Sequence, residues 1–321
     1  CGITVVEPAQ YDGFRRIKRF VDFLMQTCRE HQVDIIHAHM ADAAFLGWLV
    51  ARKSGRPLVI SHHGQDILLK CNRLCRFVYF LLLNLAARYA AVNIAVSAPV
   101  AERVRQLLFI APEKVTVISN GVAIPEDAPN KRDNVKTTAP VLVTVGRLVP
   151  LKGHGQLIQA AAKLKAVMPG LKVYIVGGGD MLDTLQQLAR QAGVSEMVTF
   201  TGAVNDVASY LAKADLFVST SESEGMPVSV LEAMAWRLPV IASDIPGNNS
   251  VVTHKQTGFL YRLGDVDGLA ETICTVFKEP SLAAAVAARA RAMVVENYSA
   301  EAAEQAHRSL YRKIFAAASP V

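Results

Sequence analysis

A parallel α/β fold with two doubly wound, Rossmann-like domains is predicted by three features of the sequence. Short apolar runs alternate with helical patterns from end to end. The alternation stops once, at the polar stretch 125–138, and then restarts. Strands repeatedly pass into helices through short loops that hold glycine, arginine, lysine or glutamate. Strands alternating with helices imply a parallel sheet with helices on both faces. The length of 321 residues suits two cores. A composition of 51% hydrophobic and 19% charged residues excludes a disordered chain.

The elements follow in order. Ile17 to His31 has helical periodicity, and Val33 to His39 reads as a strand with a polar end. Ala43 to Ser54 is a helix closed by Gly55 and Pro57, because glycine and proline stop a helix. Pro57 to Ser61 is a strand, followed by His62, His63, Gly64, Gln65 and Asp66. A helix is predicted over Cys71–Ala90, a strand over Val92–Ser97, a helix over Ala98–Leu108 and a strand over Val115–Ile118. The turn Ser119-Asn120-Gly121 closes that series.

After 125–138 come a strand at Val141–Val145, a helix at Gln156–Val167, a strand at Leu171–Val176 and a helix at Met181–Ala192. Val198–Phe200 is a strand, Val207–Lys213 a helix and Leu216–Ser219 a strand. Pro227 opens the next helix, since proline suits the first helical position. Pro239–Ala242 is a strand, Asp265 caps a helix over Leu269–Phe277, and two helices finish the chain. The predicted organisation is a first domain at 1–124, a linker at 125–138 and a second domain at 139–295. Residues 296–321 form a terminal helix expected to pack back on the first domain.

The net charge of +6 favours acidic partners such as phosphates, nucleotides or an anionic membrane. Basic clusters at Arg15–Arg19 and Lys70–Arg76 fit peripheral contact with anionic lipid, or solvated helix faces. The longest uncharged apolar run, Phe77 to Ala87, is too short to span a bilayer, and a core helix is its plain reading. The five cysteines are scattered, which implies no disulfide framework and fits a reducing cytoplasm. Cys71 and Cys75 have no second pair nearby, so they do not suggest a metal site.

Two constellations carry chemistry. In Glu224-Gly225-Met226-Pro227-Val228-Ser229-Val230-Leu231-Glu232 a loop presents one carboxylate, a helix begins, and a second carboxylate lies in its second turn. The N–H groups at a helix start suit phosphate. A carboxylate accepts two hydrogen bonds from a vicinal diol. In Gly146-Arg147-Leu148-Val149-Pro150-Leu151-Lys152-Gly153 a strand feeds a loop with two cations five apart. Together they suit a diphosphate leaving group without a metal. Gly177-Gly178-Gly179-Asp180 is a glycine turn without the GxGxxG of a dehydrogenase. Asp265-Val266-Asp267 matches a DxD metal motif, but helix capping explains it better, so no metal ligand is assigned. His154 is read as a polar residue at a helix start. His37 and His39 share a strand face and are read as wall or core residues.

With these residues in hand, the second half resembles the donor domain of glycosyltransferase family 4, the retaining enzymes of the GT-B fold. VGRLVPLKG (145–153), VGGGD (176–180), FTGAV (200–204), the long segment 214–247 and TGFLY (257–261) carry the resemblance. DIIHAH and VISHHG carry it into the first domain, on the acceptor side. The resemblance implies that Arg147 and Lys152 hold the donor diphosphate, Glu224 the transferred sugar and Glu232 the ribose. Gly146, Gly178, Gly225, Met226 and Pro227 would meet phosphate or sugar, and Val204 would border the base. His63 falls where such enzymes place a histidine near the reacting sugar, with His62 as the neighbouring alternative. The family also begins with a strand and a glycine-rich loop. Nothing of that kind precedes Ile17, so the first domain is expected to be incomplete.

The expected reaction is hexosyl transfer with retention, from a nucleotide diphosphate sugar to a glycan or lipid-linked acceptor of surface polysaccharide or lipopolysaccharide synthesis. A UDP-sugar is the favoured donor and GDP-mannose the next. The nucleotide sugar is a substrate, and neither a cofactor nor a nucleic-acid partner is expected. The expected location is cytoplasmic, peripheral on the inner face of the membrane. A nucleotide-sugar epimerase of the same fold and a remnant that only binds nucleotide are the alternatives.

Overall fold

The computed structural model describes residues 14–64, 73–126, 128 and 139–318. The chain divides into two compact units, 1–118 with 305–321, and 119–304. The opening segment 1–13, Cys71, and most of the polar stretch 125–138 lie outside the described residues, as do the side chains of Arg15, Arg16 and Cys75.

In the first unit α1 (Phe14–Glu30) leads to β1 (Ile36–His39) and α2 (Met40–Ser54). Then follow β2 (Leu58–His62), α3 (Arg73–Tyr89), β3 (Val92–Ala95), α4 (Ala98–Leu108) and β4 (Val115–Val117). The sheet runs β1-β2-β3-β4, and every pair is parallel. All five residues of β2 are buried, as expected for a strand covered on both faces. Gly55 ends α2 in the left-handed region at φ 72°, the stop read from the sequence. Helix α2 begins three residues earlier than expected, directly at the end of β1. Met40 makes that junction at φ +70°, a conformation that a side chain with a Cβ rarely adopts.

The second unit contains β5 (Val141–Val145), α5 (His154–Leu164), β6 (Lys172–Val176), α6 (Leu182–Gln191) and β7 (Val198–Gly202). It continues with α7 (Ala208–Lys213), β8 (Leu216–Ser219), α8 (Val228–Ala235), β9 (Val240–Ser243) and α9 (Pro246–Asn249). The last elements are β10 (Phe259–Tyr261), α10 (Val266–Lys278), α11 (Pro280–Asn297) and α12 (Ala300–Ala318), whose residues from 305 belong to the first unit. Ile314 of α12 packs there with Val59, Ile94 and Ile118.

The second sheet has the order β10-β9-β8-β5-β6-β7, all parallel. The chain starts at β5, winds outward to β7, then returns to β8 on the other side of β5. The strand order therefore reverses between β5 and β8. Loops leaving the carboxyl ends of two such strands diverge and open a crevice, which is where ligands bind in doubly wound sheets. Leu142, Leu157, Ile158, Leu164, Ile175 and Phe259 fill the core beneath. Burying one such side chain contributes roughly 1.5–3 kcal/mol.

One expectation needs correction here. Pro227 stands at the N-cap of α8, one residue before the first helical position. His154 does stand at a helix start, as the first residue of α5, and it is buried there. It is 3% exposed, because α5 turns its first residue inward against the loop that precedes it. Asp265 does cap α10, its carboxylate accepting from the Gly268 N–H at 2.8 Å, and Asp267 pairs with Lys163 at 2.7 Å.

Candidate functional site

The site of the second unit is built where β5 and β8 end. The β5–α5 loop holds a short 3-10 turn, Pro150–Lys152, stopped by Gly153 at φ 61°. A Cβ on Gly153 would stand 2.1 Å from the carbonyl oxygen of Thr220, so only glycine lets this loop touch the one after β8. Thr220 Oγ1 donates to the Lys152 carbonyl at 3.0 Å, and the Glu222 N–H to the Leu151 carbonyl at 2.8 Å. Two loops distant in sequence are thereby clamped side by side.

That clamp places the charged groups. Lys152 Nζ donates to Glu224 Oε1 at 2.5 Å, and Ser221 Oγ donates to the same oxygen at 2.7 Å. The pair is largely shielded, with side-chain exposures of 23% for Lys152 and 11% for Glu224. Glu224 is thus fixed through Oε1, and its Oε2 has no hydrogen bond among the described residues. Lys152 keeps further N–H donors, since an ammonium has three. Its stem lies over Gly146, where a Cβ would meet Lys152 Cδ at 3.4 Å. Arg147 is exposed, and its guanidinium has no ion pair among the described residues. Beneath it, His154 Nε2 lies 3.3 Å from the Arg147 carbonyl. A carbonyl only accepts, so Nε2 carries the proton and His154 is the donor. Burial and nearby Lys152 hold its pKa down at about 4, and Nδ1 has no partner.

The glycine turn and the α8 start complete the surround. Gly177 has φ 144°, and a Cβ there would lie 2.0 Å from the Gly146 carbonyl oxygen. The Leu148 N–H donates to the Gly178 carbonyl at 2.8 Å, which ties the turn to the β5–α5 loop. Gly178 also lies against Ala203, so Val204 follows directly on the turn's flank. Gly225, Met226 and Pro227 are buried, and the Met226 sulfur accepts from the Asn120 N–H at 3.2 Å. The Met226 side chain is therefore taken up inside the protein. No side chain caps α8. One turn on, Glu232 is half-buried, its pKa raised by burial, with no hydrogen bond among the described residues.

One supporting element was not legible beforehand. Helix α9 presses Gly247 so close to Glu224 that a Cβ would stand 2.2 Å from the Glu224 carbonyl oxygen. Asn248 Nδ2 donates to Ser243, whose hydroxyl in turn donates to the Ser221 carbonyl. A proline-glycine pair after a strand was the only sequence signal for this brace.

In the first unit the two histidine readings separate. His62 is 1% exposed and its Nε2 lies 3.0 Å from Asn93 Oδ1, so it is a satisfied core residue. His63 is half-buried, and its Nε2 lies 3.0 Å from His39 Nδ1. His37 is held between Tyr311 Oη at 2.6 Å and Ser61 Oγ at 2.8 Å, with its pKa lowered to about 4 by burial and neighbouring histidines. Burial and the neighbouring imidazoles also lower the pKa of His63. Among the described residues no group of three or more His, Cys, Asp or Glu is arranged to hold a metal ion.

Comparison with known proteins fits this geometry. The family described as Glycosyl transferases group 1 matches residues 126–293, and Glycosyltransferase Family 4 matches residues 2–124. An Escherichia coli UDP-Gal:alpha-D-GlcNAc-diphosphoundecaprenol alpha-1,3-galactosyltransferase is 31% identical over 265 residues, covering 79% of this chain and 68% of that protein. The lipopolysaccharide core biosynthesis glycosyltransferase LpsE of Rhizobium meliloti is 32% identical over 213 residues, covering 66% of this chain and 61% of its own length. Among solved structures, Anabaena HepE in complex with UDP-glucose superposes with a TM-score of 0.79 at 26% identity, covering 91% of this chain and 82% of that one.

Proposed function

The chain belongs to the glycosyl transferases group 1, with a Glycosyltransferase Family 4 segment before it, and we propose that it moves a hexose from a UDP-sugar to a lipid-linked glycan with retained anomeric configuration. The observation that carries this reading is the Lys152–Glu224 pair at the reversal of the second sheet's strand order, with Arg147 on the same loop as Lys152 and Glu232 on helix α8. Arg147 and Lys152 take the diphosphate, and the start of α8, which no side chain caps, adds the backbone N–H groups of Met226 and Ser229. Glu224 Oε2 receives a sugar hydroxyl. Glu232 receives the ribose diol, and its burial without a protein partner suits a carboxylate that awaits hydrogen bonds. Val204 borders the base.

As the bond from sugar to phosphate lengthens, negative charge grows on the diphosphate and positive charge on the sugar ring. Cations fixed beside the diphosphate before the reaction lower that barrier. Glu224 is tied to Lys152 and Ser221, which suits a residue that orients the sugar better than one that attacks it. The acceptor hydroxyl then approaches from the side the diphosphate leaves, and a diphosphate oxygen accepts its proton. His63 is the first-unit group assigned to the reacting sugar, in preference to the core residue His62.

The UDP preference is supported by the UDP-glucose complex of HepE and by the UDP-Gal donor in the E. coli relative's name. The lipid-linked acceptor is supported by the diphosphoundecaprenol in that relative's name, and a peripheral membrane contact on the cytoplasmic side is proposed with it. No helix among the described residues is long and apolar enough to cross a membrane. Calorimetry with UDP, GDP and ADP tests the donor, with UDP expected to bind tightest. Proton NMR of the product bond tests retention, and an inverted anomeric centre would overturn it.

A further inference from the structure

Helix α3 presents an exposed apolar face among the described residues of the first unit. Phe77, Val78, Leu81, Leu85 and Tyr89 are exposed by 59%, 47%, 45%, 52% and 43%. At about 100° per residue they fall within an arc of about 120°, together with Arg88. Leu83, Ala86 and Ala87 face the opposite way and are buried. From Phe77 to Tyr89 the stripe runs about 18 Å along the helix. Apolar surface this large and contiguous marks a binding face.

Charge identifies the occupant. From Ile67 to Ala101 the sequence holds Lys70, Arg73, Arg76 and Arg88 and no Asp or Glu. Lys114 adds a cation at the C-terminal end of α3, donating to the Arg88 carbonyl at 2.6 Å. The first unit as a whole carries 18 Lys and Arg against 9 Asp and Glu, a formal net charge of +9. The second unit carries 16 against 19, a net charge of −3, so the positive charge of the protein belongs to the unit with the bare helix. A second copy meeting this face would bring a second +9 against the first. An anionic bilayer instead offers charge of the right sign and an apolar layer just beneath it.

We propose that α3 is an in-plane membrane helix, with Phe77, Leu81 and Leu85 entering the acyl boundary of an anionic bilayer and Arg88 held at the phosphates. This deepens the lipid-linked reading given above. Vesicle binding needs neither donor nor acceptor, so either idea can fail without the other.

The test is co-sedimentation of the full chain with sucrose-loaded vesicles, of phosphatidylcholine alone or with added phosphatidylglycerol. Binding should be roughly tenfold or more tighter with phosphatidylglycerol and should weaken at high salt. The double variant Leu81→Ser, Leu85→Ser should bind roughly tenfold or more weakly. The separate pair Phe77→Ser, Tyr89→Ser should do the same, and the variant that keeps the wild-type melting temperature is the one read. Equal binding of a folded variant and the wild type overturns the proposal. So does sedimentation velocity without lipid if it finds a dimer that these substitutions dissolve, because a second copy would then cover the stripe.

Discussion

Lys152 works through what it touches. It braces Glu224 and still has further N–H donors, whereas the exposed Arg147 side chain has no ion pair among the described residues. Each of Arg147→Ala and Lys152→Ala should therefore weaken UDP binding by roughly 1.5–3 kcal/mol, the scale of charged hydrogen bonds. Only Lys152→Ala should also loosen the hold on the sugar, seen as a larger loss for the UDP-sugar than for UDP. Calorimetry with both ligands checks this, and wild-type affinity in both variants would remove the assignment. His154 gives a pH dependence. Its folded pKa of about 4 lies below the ordinary histidine value of 6.5, so between those values the unfolded chain binds more protons. Its stability contribution is therefore complete above about pH 6.5 and falls as pH drops toward 4, by roughly 3 kcal/mol at most. His154→Gln keeps a donor for the Arg147 carbonyl but cannot titrate. Its melting temperature should vary less between pH 7 and pH 4.5 than that of the wild type. Parallel curves would show that other groups carry the acid sensitivity.

At the scale of elements, the loops behave as one clamped set. Gly247→Ala should push a methyl into the Glu224 carbonyl and displace the loop, costing roughly 2–4 kcal/mol of stability and lowering UDP-sugar affinity as well. Gly264→Ala is the control. Its φ is 82° but nothing lies within 4 Å, so only local backbone strain, about 1 kcal/mol, is expected, with UDP-sugar binding unchanged. Thermal melts and calorimetry on both variants separate contact from conformation. Equal effects from the two would argue against the brace. The strands that the sequence left unread have a physical reason. The three residues of β10, Phe259–Tyr261, are too few for a periodicity, and only pairing with β9 makes them a strand.

For the whole molecule, the proposed donor site draws its positive charge from side chains. Asp265 and Asp267, the one DxD pattern, are committed to the Gly268 N–H and to Lys163. Donor binding should therefore survive exhaustive chelation. Loss of binding in a chelated sample, restored by magnesium or manganese, would return those aspartates to the site. The two units also differ in charge, +9 against −3. Any attraction to acidic surfaces should follow the first unit, while nucleotide affinity depends on local residues of the second.

The sequence by itself determined the α/β class, the strand and helix order and the loops that carry Arg147, Lys152, Glu224 and Glu232. These depend on period, on glycine and proline, and on side-chain chemistry, all of which are local. It left His62 as an alternative to His63 and did not show that His154 is buried, because burial depends on what packs from elsewhere: Asn93 takes up His62, and the turn of α5 takes in His154. The pairing of Lys152 with Glu224, 72 residues apart, was likewise beyond local pattern. Only the tertiary structure decided it, because the strand order reverses between the parallel neighbours β5 and β8 and sets their two loops against each other, with Gly153 and Gly247 removing the side chains that would have kept them apart.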